Sequence, residues 1–124
     1  MSNRITDKES EALAVVAAKV YAIAKDHGFH AEESATEGVS LGRIAKFCAN
    51  LHGEVSELWE AARMGLLEDQ CQKKIPATCA EEELADIVIR AFDTAHTLGL
   101  DIGLAISRKS EYNESRPHMH GKLA

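Results

Sequence analysis

Three long segments of this chain repeat apolar residues at helical spacing, and no proline interrupts the sequence before Pro76. Thr6-x-x-Glu9 has the form of a capping box and Gly28 that of a stop, so a helix is expected from about Asp7 to His27. A second should run from Leu41 to Met64, opened by Ser40 and closed by Gly65. Its apolar stripe is Ile44, Phe47, Cys48, Leu51, Val55, Leu58, Trp59 and Ala62. A second capping box, Thr78-x-x-Glu81, opens a third helix with the stripe Leu84, Ile87, Val88, Ala91, Phe92, Ala95 and Leu98, ending at Gly99. Asp101 can cap a fourth, which should end near Ser115 because Arg116 precedes Pro117. Hydrophobic residues make up 45% of the chain but aromatics only 5%, so the core must rest on Ala, Leu, Ile and Val, which suits close-packed helices. The expectation is an all-α fold in one domain, residues 1–124, with flexible ends at 1–5 and 117–124. Residues 28–39 read as a loop, and 65–79 as a polar connection.

Ala12–Ala24 is apolar almost all round, which in so small a domain means burial on more than one side. A four-helix-type bundle completed by oligomerisation follows as an expectation. The run is broken by Lys19 and too short to span a membrane. Net charge is -6, against a basic face for polymeric nucleic acid or anionic lipid. The charge is uneven: from Arg108 onward four basic residues stand against two acidic ones, whereas the rest is strongly acidic. Cys48, Cys71 and Cys79 form no CxxC pair, and an odd count does not suit a secreted disulfide scaffold. With no charged-then-apolar pattern at the N-terminus, they read as reduced thiols of a cytoplasmic protein.

The chemistry lies in two acidic motifs, Glu54-x-x-Glu57 and Glu83-x-x-Asp86. A three-residue step places each pair on one helix face, one turn apart. Like charges so spaced repel. Counted on helical wheels, both pairs lie to the same side of their apolar stripes, so antiparallel packing would aim them into one groove. Four converging carboxylates form a hard-cation site, most naturally for Mg²⁺. Lys109, Asn113 and Arg116 share a face at the end of helix four, where an anion could be held. His118 and His120 follow in the tail. Trp59 is read foremost as core, and His27 and His30 as exposed loop residues. Trp59 and His30 are also the candidates to edge a base pocket. Arg90 and Asp93 read as an ion pair that orients the acidic face.

Leu51-His-Gly-Glu54-Val-Ser-Glu57-Leu-Trp-Glu60-Ala-Ala-Arg63, then Glu82-Glu83-Leu-Ala-Asp86-Ile-Val-Ile-Arg90-Ala-Phe-Asp93, resembles the MazG-like, all-α nucleoside triphosphate pyrophosphatases. Their signature is ExxE, a spacer, then ExxD, and 25 residues separate Glu57 from Glu83 here. Lys109-Ser-Glu-Tyr112-Asn113-Glu-Ser-Arg116-Pro117-His-Met-His-Gly121-Lys122 resembles the closing motif of small stand-alone members. The similarity covers roughly residues 25–123. It implies a homodimer or dimer of dimers that cleaves a nucleoside triphosphate to the monophosphate and pyrophosphate, cleansing the nucleotide pool. It also implies Glu54, Glu57, Glu83 and Asp86 as ligands of a catalytic Mg²⁺, with Mn²⁺ a substitute, and Lys109, Asn113 and Arg116 as phosphate contacts. Two departures stand out. Gly53 occupies a position where some relatives carry a further Glu, which Glu60 or Glu82 would have to replace, and the closing His-Met-His is less basic than in related motifs.

Two other readings compete. A di-iron bundle wants two Glu-x-x-His motifs, and only Asp93-x-x-His96 comes close. A non-enzymatic helical interaction module with a cation-binding acidic groove explains the apolar first helix but not the matched acids.

Overall fold

The computed structural model describes residues 2–30 and 39–123. Regular structure among them is helical: α1 (Asp7–Asp26), α2 (Leu41–Arg63), α3 (Cys79–Thr97) and α4 (Ile102–Glu114), followed by a 3-10 turn at His118–Gly121. Both capping boxes are made. The hydroxyls of Thr6 and Thr78 accept from the amides of Glu9 and Glu81, whose carboxylates reach back to the cap amides. Ser40 and Asp101 cap α2 and α4 through single side-chain bonds. The ends of α1, α2 and α4 fall within one residue of expectation, with His27, Met64 and Ser115 serving as C-caps, and α3 ends at Thr97, two residues before Gly99. Most of the expected 28–39 loop, residues 31–38, lies outside the described residues.

α3 is the central helix, packed on α2 along one flank and on α1 along the other, while α4 rests mainly on α1. The last contact is close. A Cβ added at Gly103 would collide with the Ser10 carbonyl oxygen and lie 2.9 Å from its carbon, so only glycine lets the two backbones meet there. Beyond this crossing, the second half of α4 runs along Asn3, Arg4 and Ile5. The Ser107 hydroxyl donates to the Ile5 carbonyl at 3.4 Å, so the expected flexible N-terminal end is partly tied down. The expected tail likewise contains the 3-10 turn.

The buried core is thin: Ala17, Phe47, Ala95 and Leu98 among the hydrophobics of the helices. The predicted stripes straddle a covered and an uncovered face. In α2 the side toward α3 carries Phe47, Leu51 and Leu58, whereas Val55 and Trp59 are at least half exposed. In α3, Leu84 and Val88 are likewise half exposed. On helical wheels these four lie on the flank of the α2–α3 pair opposite Glu54 and Asp86. Trp59, expected in the core, is 64% exposed because, among the described residues, no other element covers that flank. Val15, Val16 and Ile23 of α1 are also well exposed. Among the described residues, no helix is long and apolar enough to cross a membrane.

The α2–α3 connection is more ordered than a polar linker. Gly65, at φ 71°, takes the left-handed position that turns the chain out of α2, and the Leu66 amide bonds back to Ala61 at 3.0 Å. Gln70 then pairs with Thr78 across an antiparallel bridge, and the amides of Cys71, Cys79 and Ala80 bond to the carbonyls of Ala77, Asp69 and Leu67. The Gln70 side chain donates to the Ile75 carbonyl. Lys73 and Lys74 sit at the tip of this small hairpin, and Lys74 has φ 60°.

Candidate metal centre

The matched offsets of the two acidic motifs carry through to three dimensions. α2 and α3 run antiparallel, and each of Glu54, Glu57, Glu83 and Asp86 offers a carboxylate oxygen within 4.8 Å of the others. Three of the four carry a perturbed proton affinity. The neighbouring Glu54 carboxylate, more than burial, raises Glu57 above its ordinary value. Burial raises Glu83 and Asp86, with Glu82 the next cause for both. One oxygen of Glu83 is buried with no hydrogen-bond partner. A buried, unsatisfied carboxylate oxygen facing like charges costs stability, and a cation would remove that cost. The all-oxygen donor set fits a hard divalent ion such as Mg²⁺.

The surroundings correct several sequence readings. Arg90 and Asp93 do not pair with each other. Arg90 donates to Glu54 at 3.2 Å, both groups being largely covered, and so neutralises one edge of the cluster. Asp93 instead takes the Nε2 of His30 at 2.8 Å. His30 is no exposed loop residue: it is 9% exposed and Asp93 4%. The Tyr21 ring lies between His30 and His96, with centroids 4.8 and 4.7 Å away. Asp93 is thus held by His30, while His96 stays exposed beside the Tyr21 ring. The pairing joins residues 63 positions apart, and the one local signal for it was the place of Asp93 on the inner face of α3.

Two cavities flank the carboxylates. One, of about 200 Å³, lies between α1 and α3. It is walled by Val20, Ile23, Ala24 and Ile89, with Phe29 at its edge and Glu54 and Asp86 on its cluster side. The other, of about 360 Å³, opens toward the connector. Glu57 and Glu83 of the cluster line it together with Glu82 and Lys73. Lys73 pairs with Glu82 at 3.4 Å, and this bond raises the lysine's hold on its proton. Sequence reasoning missed this lysine; its one signal was a Lys-Lys step in a polar connection. Glu60 lines the same cavity, but its carboxylate bonds outward to Arg63 at 3.5 Å.

The other candidates are not brought to the cluster. Trp59 is on the opposite flank. His30 is bonded to Asp93, which lines the apolar cavity. Lys109, Asn113 and Arg116 lie beyond the Gly103–Ser10 crossing, whereas the carboxylates stand beside Val20–Ala24 at the far end of α1, about 20 Å away at 1.5 Å per residue. There Lys109 and Arg116 lie over the face of Tyr112, at 4.7 and 5.5 Å from its centroid. One Asn113 oxygen is buried without a partner. His118 is exposed in the 3-10 turn. The three cysteines are free thiols.

No family model matches the chain, and no curated protein or solved structure matches it significantly.

Proposed function

We propose that this chain is a MazG-like nucleoside triphosphate pyrophosphohydrolase of the cytoplasm, dependent on Mg²⁺ and cleaving between the α- and β-phosphates. The observation that carries the reading is the meeting of Glu54, Glu57, Glu83 and Asp86 within 4.8 Å, with a buried Glu83 oxygen left unpaired. Those four would hold the ion. Bound there, Mg²⁺ would neutralise phosphate oxygens and acidify a water. Arg90 fixes the Glu54 carboxylate from behind, as outer partners orient metal ligands. A carboxylate of the cluster not fully used as a ligand can take a proton from the attacking water. The apolar cavity beside Glu54 and Asp86 suits a nucleobase better than Trp59 does, and the His30–Asp93 pair buttresses its wall.

Association belongs to the same proposal. The uncovered flank with Val55, Trp59, Leu84 and Val88 is the face on which a second copy would complete the four-helix bundle. Because Lys109, Asn113 and Arg116 stand remote from the carboxylates of their own chain, their contact with phosphate requires another copy's α4.

The test is incubation of the purified protein with Mg²⁺ and a panel of ribo- and deoxynucleoside triphosphates, with product identification. Monophosphate and pyrophosphate, lost on chelation and in Glu57→Gln, are expected. Diphosphate and phosphate would overturn the cleavage site. No turnover across the panel would favour a cation-binding interaction module instead.

A further inference from the structure

The four carboxylates are shared between two unlike cavities. Glu54 and Asp86 face the apolar one, and Glu57 and Glu83 face the polar one at the connector. A nucleoside triphosphate is unlike at its two ends in the same way: a flat, largely apolar base and a polyanion. With the reacting phosphorus over the carboxylates, the base and the phosphate tail must leave the cluster in opposite directions.

The polar cavity has the volume for the tail but, taken alone, the wrong charge. Glu57, Glu60, Glu82 and Glu83 all line it. Among the described residues, Lys73 is its one basic lining residue. Three observations make Lys73 more than a surface lysine. The hairpin that carries it is pinned by the Gln70–Thr78 bridge and by backbone bonds from Cys71, Cys79 and Ala80, so its position relative to α3 is set. Its partner Glu82 is largely covered, with a side chain only 12% exposed, and holds the ammonium toward the cavity. The lysine itself is 67% exposed, and so exposed an ion pair is weak enough to be given up when a stronger anion arrives.

Resting on the pyrophosphohydrolase reading, we propose that the connector cavity seats the β- and γ-phosphates, and that Lys73 is the cation that receives them as pyrophosphate departs. The substrate then lies with its base against α1 and its phosphate tail under the α2–α3 hairpin. Lys73 serves as a mobile point charge: it bonds Glu82 in the free protein and turns to the phosphate oxygens when they enter. Specificity for a triphosphate over a monophosphate resides at this end of the site.

The experiment is calorimetric titration of inorganic pyrophosphate in saturating Mg²⁺ into wild type, Lys73→Ala, Lys73→Arg and Glu82→Gln. The thermal shift with Mg²⁺ alone is measured on each. Lys73→Ala should weaken pyrophosphate binding by about ten- to a hundredfold, the range for losing one charge-assisted bond. It should keep its Mg²⁺ shift, which also shows that it is folded. Lys73→Arg should keep most of the affinity, and Glu82→Gln, which frees the lysine, should not weaken it. Equal affinity in Lys73→Ala and wild type would overturn the role of Lys73 while leaving the metal centre standing. Failure of wild type to bind pyrophosphate despite a Mg²⁺ shift would overturn the proposal and the hydrolase reading together. A Mg²⁺ shift missing from wild type would overturn the metal centre on which both rest.

Discussion

Replacing Glu83 by Gln should stabilise the metal-free protein. At the 4.8 Å limit of the cluster, two carboxylates repel by about 0.9 kcal/mol in a water-like dielectric and about 3.5 kcal/mol at an effective value of about 20. Glu83 has three such neighbours, of which Glu54 is offset by Arg90. The new amide can donate to Glu57 or Asp86, so its buried polar atom does not go unsatisfied. A net gain of about 1–2 kcal/mol follows, or a rise in Tm of about 4–8 °C for a domain of this size. The pH dependence has a definite sign. Glu57, Glu83 and Asp86 are all raised in the folded state. The stability linked to their protonated forms is therefore complete below the unfolded carboxylate values and is lost as pH rises through the raised folded ones. Metal-free wild type should melt lower at about pH 8 than at about pH 5, and Glu83→Gln should flatten that slope. Mg²⁺ should reverse the ranking, because a ligand at a hundred times its Kd adds about 2.7 kcal/mol to wild type, while the variant has lost a ligand. Differential scanning fluorimetry at fixed protein concentration, with chelator or with Mg²⁺, measures all of this. A lower Tm for Glu83→Gln in chelator, or an undiminished Mg²⁺ shift in that variant, would refute the electrostatic account of the cluster.

Gly103→Ala gains about 1 kcal/mol of helix propensity but drives a methyl into the Ser10 carbonyl; a net loss of about 2 kcal/mol is expected in denaturant titration, and an unchanged midpoint would deny the close crossing. His30→Ala and Asp93→Ala should each cost about 3 kcal/mol, and the double mutant less than their sum, since each single change removes one half of the same buried bond. Strict additivity in that cycle would show that the two groups do not interact. Val88→Asp, on the uncovered flank of α3, should shift light scattering toward a single chain, and a mass identical to wild type would remove this face from the proposed interface.

What could be read from the sequence was local. The capping boxes at Thr6 and Thr78 act within three residues, so both helix starts were legible. The acidic pairs were legible because a wheel angle survives packing whenever two helices lie antiparallel. What failed was tertiary. Asp93 chose His30 over the nearer Arg90, and nothing within one helical turn encodes a partner 63 residues away. Trp59 was read as core because it continues the apolar stripe of α2, but the stripe is wider than the face α3 covers, and Trp59 lies outside it. Lys73 lay hidden in a segment without periodicity, where backbone bonds rather than side-chain pattern make the shape. Gly103 was missed because a glycine inside a helical segment is not diagnostic: Gly42 and Gly53 sit inside α2 facing open space, whereas Gly103 meets the Ser10 carbonyl.

The Gly103–Ser10 crossing sends α4 away from the carboxylates. Each chain consequently carries an acidic cluster beside one end of α1 and the cationic groups of Lys109 and Arg116 toward the other. Should neighbouring copies join the one to the other, every subunit is donor to one centre and acceptor at the next. Two inactive variants, Glu57→Gln and Arg116→Ala, would then restore one another on mixing, since some junctions would unite an intact acidic end with an intact basic one. Activity would belong to the junction between chains, and dilution would extinguish it without unfolding a single helix.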